Sequence, residues 1–300
     1  MAKELLFATV VIRLGVECRE GPVMARVVIV GGGVVGLELG MMLAKDGHDV
    51  LQLERDAEPP PESVDAAWER WGRRGLAQFR LGHLFLARWR TIVEAELPEL
   101  LPAMEAAGAL RTNPLLDAPE QFHGGARPGD GRYELITGRR VLVEKVVAEL
   151  AEKTPRLTVR RGVAVSGLVT GGSVVRGSPH VTGVRTDDGS EITADVVIDA
   201  SGRRSALPSW LTAADARPPI EELEDSGFVY YGRHYRSQDG SLPVSLGGAL
   251  QNYGSISSLT LAADNGHWAV LVVARADDAA LRRRCGRAGH ARSILTCTRS

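Results

Sequence analysis

Residues 27–40 read VVIVGGGVVGLELG, and this stretch decides the fold. Four β-branched residues, Val27, Val28, Ile29 and Val30, run without interruption into Gly31, Gly33 and Gly36. Such a run suits a strand buried on both faces of a parallel sheet. The glycines then have separate tasks. Gly31 permits a tight turn, Gly33 lets the backbone approach a pyrophosphate, and Gly36 lets the next helix pack closely on the strand. The N-terminus of that helix, with unused N–H groups and the positive end of its dipole, faces the phosphates. The spacing predicts a helix carrying Val35, Leu39, Met42 and Leu43 on one side and stopping at Asp46-Gly47. A second apolar run, 50–53, ends in Glu54, eighteen residues beyond Gly36, where an acid can bind ribose hydroxyls. These parts together predict a dinucleotide-binding βαβ unit.

Composition narrows the remaining classes. Three hundred residues allow one large or two modest domains with a real core. A hydrophobic content of 44% and a charged content of 24% are ordinary for a soluble globular chain. A net charge of −1 gives no electrostatic reason to expect nucleic acid or an anionic membrane as partner. No apolar run reaches the roughly 18 residues of a transmembrane helix. Cys18, Cys285 and Cys297 are scattered and odd in number, so no disulfide framework is expected and a reducing cytoplasm fits. Cys285, His290 and Cys297 offer three zinc ligands at an unusual spacing, so no metal site is expected. GxSxG, Walker A and HExxH are absent, leaving hydrolase, P-loop and zincin readings without support.

Beyond Glu54-Arg55-Asp56 comes the loop Pro59-Pro60-Pro61, and helical patterning follows from about Ser63 through Ile92, Val93, Leu97, Leu100, Leu101 and Met104. Pro98 marks the start of a second helix, since proline suits a first turn and not an interior. A Gly/Pro-rich loop covers 124–131, and a helix over 139–152 places Leu142, Val146, Val147 and Leu150 on one face. Short strands are expected at 157–165, 180–186 and 191–199, the last two joined by an Asp187-Asp188-Gly189 hairpin turn. From Gly227 the pattern turns β-rich, with segments at 228–236, 257–262 and 268–274 that read as a second, substrate-side sheet.

Residues 195–211 read DVVIDASGRRSALPSWL: an apolar strand ending in Asp199, then a tight Ala200-Ser201-Gly202 turn that returns the chain beside the first strand. With the glycine fingerprint, Glu54-Arg55 and the Arg139-Arg140 helix, the chain resembles the FAD-dependent monooxygenases of the aromatic-hydroxylase type, para-hydroxybenzoate hydroxylase among them, and is most similar to their bacterial secondary-metabolism branch. The resemblance covers about residues 24–280. It implies an α/β fold, a Rossmann-like FAD-binding domain with an inserted or second mixed β-sheet substrate domain. It implies that Gly31, Gly33 and Gly36 contact the FAD pyrophosphate and Glu54 the adenosine ribose, with Arg55 near the adenine. It further implies that Arg140, and with it Arg139, reaches the flavin phosphates or ribityl chain, and that Asp199 and Gly202 line the same cleft. His83, in QFRLGH, sits where these relatives pass near the flavin ring, although a lone histidine is commonly structural. Trp68 and Trp71 read as helix packing, because the tryptophan-x-tryptophan-x-isoleucine-proline signature of the flavin halogenases is absent.

The implied chemistry is oxygenation with NAD(P)H, or a flavin reductase, as electron source and O₂ as co-substrate. The flavin would form a C4a-hydroperoxide that hydroxylates or epoxidises an apolar or aromatic metabolite. No side-chain acid or base can be named as catalytic. A flavin-dependent reductase or dehydrogenase on the same fold, and an inactive FAD-binding remnant, are the alternatives. No second GxGxxG occurs, which disfavours the two-nucleotide layout of disulfide reductases. The family's Gly-Asp segment after the substrate sheet is also absent: Gly129-Asp130 comes too early, and residues 282–300 hold six arginines without strand or helix period. The expected organisation is therefore an extension at 1–23 (an extra strand, or upstream residues from a misplaced start), an FAD-binding domain at 24–212 with a helical insertion about 63–108, a partial substrate sheet at 213–280, and an irregular tail at 281–300, as in a truncated or frame-shifted oxygenase.

Overall fold

A computed structural model describes residues 10–13, 24–76, 78–175, 178–217, 219–243 and 249–279. Cys18, Cys285, His290, Cys297 and the tail lie outside them. The chain runs β1 (Val10–Arg13), β2 (Arg26–Val30), α1 (Val34–Lys45), β3 (Asp49–Glu54) and α2 (Val64–Arg70). It continues through β4 (Gly82–Phe85), α3 (Ala87–Glu96), α4 (Leu100–Ala106), β5 (Leu110–Thr112), β6 (Leu135–Arg139) and α5 (Arg140–Lys153). Then follow β7 (Leu157–Arg161), β8 (Val165–Val175), β9 (Ser178–Thr186), β10 (Glu191–Thr193), β11 (Val196–Asp199) and α6 (Leu207–Ala213). The last strands are β12 (Phe228–Arg236), β13 (Leu250–Tyr253), β14 (Ile256–Ala262) and β15 (His267–Arg275). Two compact units result: residues 1–77 with 144–222, and 78–143 with 223–300. No helix among the described residues is long and apolar enough to cross a membrane.

The first unit is built on the sheet β1-β11-β2-β3-β7. Strands β11, β2, β3 and β7 are parallel, and β1 adds an antiparallel edge, so residues 10–13 form the extra strand that was one reading of the N-terminal extension. Val27, Val28, Ile29 and Val30 are all buried, as an uninterrupted β-branched run requires. Val28, Val30 and Leu53 pack with Val181, Val184, Ala194 and Val197, so the antiparallel sheet β10-β9-β8 closes that core. The hairpin turn at 187–189 is present, with the Thr186 N–H donating to Ser190 O at 2.9 Å.

Helix α1 presents a different face from the one expected. Its buried residues are Val34, Gly36, Leu37, Gly40, Met41 and Ala44, together with Glu38, whereas Val35 is exposed. The two glycines decide the rotation, because Gln52 and Leu157 press against the helix where side chains would stand: Cβ atoms on Gly36 and Gly40 would lie 2.8 Å and 3.0 Å from the Gln52 amide.

The second unit contains the antiparallel sheets β12-β15-β14-β13 and β4-β6-β5. The β-rich segments expected after Gly227 are β12, β14 and β15. Residues 78–143 cluster with them, so the region read as a helical insertion of the first domain is divided near Ala77. The reason is local: residues 82–85 pair with β6 as a strand, and a Cβ on Gly82 would lie 2.7 Å from Leu271 of β15. Helix patterning through this stretch therefore resolves into α2, capped by the Ser63 hydroxyl, then α3 and α4, the last beginning two residues after Pro98. Arg139 ends β6 and does not open the helix, because its N–H donates to Asp264 Oδ1 at 2.7 Å.

Candidate functional site

In the first unit the glycine-rich turn, Glu54 and the return turn meet at one end of the parallel sheet. Gly31 has φ +107°, and a Cβ there would lie 2.6 Å from Ala200 O, so only glycine allows this approach. The approach is fixed by Asp199 pairing with Val30 in parallel register and by the Ala200 N–H donating to Val30 O at 2.8 Å. Asp199 is buried: Oδ1 accepts the Ser201 N–H at 3.0 Å and Oδ2 accepts the Ser205 hydroxyl. Its carboxylate thus shapes the turn in which Gly202 adopts φ +86°. Gly33 is the N-cap of α1 with nothing within 4 Å of where its Cβ would be, which leaves the helix N-terminus approachable from outside.

Glu54 is buried and largely occupied. Oε2 accepts the Gly32 N–H at 2.8 Å and Arg73 Nη2 at 2.9 Å, and Oε1 accepts the Asp56 N–H at 2.8 Å. A carboxylate offers about four acceptor positions, so among the described residues one remains on Oε1 for a ribose hydroxyl. A Cβ on Gly32 would stand 2.8 Å from Glu54 Oε2 and 2.9 Å from Glu54 Cβ, so a larger residue there would displace the carboxylate. Arg55 is exposed beside this turn, with Nη2 2.9 Å from the Cβ position of Gly75.

Two side chains here escaped the sequence reading. Arg73 is buried, donates from Nη2 to Gly32 O at 2.8 Å as well as to Glu54, and lies 3.5 Å from Asp56 and 3.9 Å from Glu144. Trp71, buried as the packing reading required, brings its ring 5.4 Å from the Arg73 guanidinium carbon. Arg73 comes from a loop nineteen residues past Glu54, and no spacing rule marks it. Gln52 left a signal: it is an amide inside an apolar run, fully buried, and Nε2 donates to Gly31 O at 2.5 Å.

Arg139 and Arg140 belong to the second unit and have partners there. Arg139 is buried in a bidentate pair with Asp264, Nε donating to Oδ1 at 3.2 Å and Nη2 to Oδ2 at 2.7 Å. Arg140 Nη1 stands 3.0 Å from His83 Nε2. Burial, then the Arg140 charge, pushes the His83 imidazole down to about 4.

A glycine-rich βα turn, an acid closing the next strand and a return strand beside the first define a dinucleotide-binding α/β unit of the kind that holds FAD. Most of the chain shares its fold with solved structures that include a probable FAD-dependent monooxygenase. Residues 26–78 match the pyridine nucleotide-disulphide oxidoreductase family model, and residues 147–216 the tryptophan halogenase model. Protein Rv3254 of Mycobacterium tuberculosis is 28% identical over 278 residues, covering 86% of this chain and 55% of that protein, so the chain spans about half the length of this relative. PqsL of Pseudomonas aeruginosa, a probable FAD-dependent monooxygenase, is similar in structure at a TM-score of 0.58 and 15% identity, over 88% of this chain and 67% of that one. CmlS, a flavin-dependent halogenase, gives 0.57 and 17%, over 88% and 44%.

Proposed function

We propose that the chain is the nucleotide-binding and substrate-sheet part of an FAD-dependent monooxygenase acting on an apolar or aromatic small molecule in the cytoplasm. NAD(P)H, directly or through a flavin reductase, is the electron source and O₂ the co-substrate. The observation that carries the FAD reading is the ordered Glu54 carboxylate beside the open Gly33 end of α1, a pairing that suits a ribose next to a pyrophosphate. In this reading Gly31, Gly33 and Gly36 admit the pyrophosphate and Glu54 takes a ribose hydroxyl, with Arg55 toward the adenine. Asp199 and Gly202 shape the neighbouring wall. Of the two arginines, Arg140 is the better cofactor contact, because Arg139 is committed to Asp264 inside its own unit. Bound FAD would supply the redox and oxygen chemistry, and the chain's own residues bind, orient and exclude water.

The test is substrate-stimulated NAD(P)H oxidation with isotopically labelled O₂. Label in the product supports oxygenation, whereas product formed without label points to a reductase. Flavin-dependent halogenation is a second reading, favoured by the match at 147–216 and opposed by the absent tryptophan-x-tryptophan-x-isoleucine-proline signature. Halide incorporation into the product would decide for it.

A further inference from the structure

Among the described residues every sheet edge is short or interrupted except one. The edge strands β1, β4, β5, β7, β10 and β13 are at most five residues long. Strand β8 runs for eleven, but three register shifts interrupt it. Short and bulged edges resist pairing with another chain. Strand β12 has neither device: it edges its sheet in the second unit with nine residues, all paired to β15 in unbroken register. Its Phe228 and Tyr230 rings meet edge to face at 5.3 Å and remain 42% and 50% exposed.

The ladder fixes which backbone groups of β12 face outward. It continues past both ends of the strand, with the Ala276 N–H donating to Gly227 O at 2.9 Å and the Ser237 N–H to Gly266 O at 3.0 Å. Odd-numbered residues of β12 therefore bond β15, and even-numbered ones turn their N–H and C=O groups away from it. Those of Phe228, Tyr230 and Gly232 meet no partner among the described residues. Gly232 is the middle residue of the strand. Antiparallel pairing of β12 with its own copy about Gly232 sets Tyr231 opposite Arg233, Phe228 opposite Arg236 and Val229 opposite Tyr235. Each arginine then faces an aromatic ring and never another arginine.

We propose that β12 is a dimerisation edge: a second copy of this chain pairs with it antiparallel about a two-fold axis at Gly232, and two four-stranded sheets become one. Charge complementarity selects this occupant and this register. A two-residue shift one way sets Arg233 against the same arginine of the partner, and a shift the other way sets it against Val229. The register centred on Gly232 satisfies the outward backbone groups and both arginines together, as a self-complementary contact requires. A single strand pair is small beside a permanent interface, so the dimer forms and parts with concentration. The contact belongs to the second unit and does not rest on the flavin reading.

The experiment uses the full chain as purified. Sedimentation velocity from low to high micromolar concentration should show a reversible passage from monomer to dimer. Amide hydrogen exchange on the same samples should slow at residues 228–236 as concentration rises. Tyr231→Arg sets an arginine against the partner's Arg233 on both sides of the axis and should raise the dimer Kd roughly tenfold. Combining Tyr231→Arg with Arg233→Tyr returns an arginine opposite a ring and should recover most of that loss. A monomer at every concentration overturns the proposal, and so does a dimer whose 228–236 amides exchange at the monomer's rate. Both are read on the wild-type chain whether or not the variants fold. Protection of 228–236 in a monomer, unchanged by concentration, assigns the edge to another segment of this chain and overturns it likewise. A dimer that Tyr231→Arg weakens and the double variant does not restore has another register, which also contradicts the proposal.

Discussion

Arg73 and Glu54 form a buried ion pair at the glycine-rich turn, Nη2 to Oε2 at 2.9 Å, with both side chains less than a tenth exposed. Arg73 also donates to Gly32 O, while Glu54 accepts from the Gly32 N–H, so the pair holds both backbone polar groups of one residue of the turn. The acid expected at the ribose is therefore held in place before any ligand arrives. Arg73→Leu leaves Glu54, Asp56 and Glu144 buried near one another without their shared cation. The expected loss is about 3–5 kcal/mol of folding stability, read from urea denaturation. A loss below roughly 1 kcal/mol would mean that the pair is solvated in solution.

Glu54→Gln tests the ribose contact with less damage to the pair's shape. Replacing a charge-assisted acceptor should weaken FAD binding by roughly ten- to a hundredfold in a fluorescence titration. Unchanged affinity would place the ribose elsewhere.

Gln52 supports the same turn from below. Gln52→Leu removes the donor to Gly31 O, leaving a part-buried carbonyl without that partner at a cost of about 1 kcal/mol. Gly36→Ala is expected to be worse, since its Cβ would sit 2.3 Å from Gly31 O, a backbone atom that cannot move aside cheaply. Thermal melting of both variants, with and without FAD, checks the order.

The second unit should carry an acid-sensitive stability. His83 and His234 are both pushed down to about 4, each chiefly by burial, with Arg140 adding to the first and Arg139 to the second. The unfolded chain binds a proton at each near 6.5 and the folded chain does not until about 4. Their contribution is thus present above about 6.5 and is lost as pH falls toward 4. Melting temperature should drop across that window, and less steeply in His83→Asn. An equal slope in the variant would show that His83 titrates normally.

Much of the first unit was legible in the sequence because its signals are local. The β-branched run before Gly31 specifies a buried strand, and the Asp199 turn specifies the return beside it. The helix face of α1 was not legible: Val35, Leu39, Met42 and Leu43 fit a periodic stripe, but Gly36 and Gly40 let Gln52 and Leu157 in, and tertiary packing overrode apolar periodicity. Strand β4 was lost in the same way, since 82–85 lies within a helix-like spacing and becomes a strand only through pairing with β6. Arg73 and Asp264 carry no local mark, because each matters through a partner distant in sequence.

Asp264 illustrates that last point and gives a separate prediction. It is fully buried in the Asp264-Asn265-Gly266 turn, where Asn265 has φ +53°, and it takes both the backbone N–H and the guanidinium of Arg139. Asp264→Ala takes from the buried Arg139 its Asp264 carboxylate, so stability should fall by about 3–5 kcal/mol. Because this pair lies in the second unit, binding of ADP alone, followed by calorimetry, should change far less than stability does. A parallel loss of ADP affinity would show that the two units are coupled.

The central claim is that this chain holds FAD, and identifying the nucleotide it carries tests that claim most directly. Purified protein is denatured, and the released ligand is separated by chromatography and identified by its absorbance spectrum. The account predicts FAD, bound through the turn at Gly31–Gly36 and Glu54. Stoichiometric NAD(H) with no flavin would contradict it.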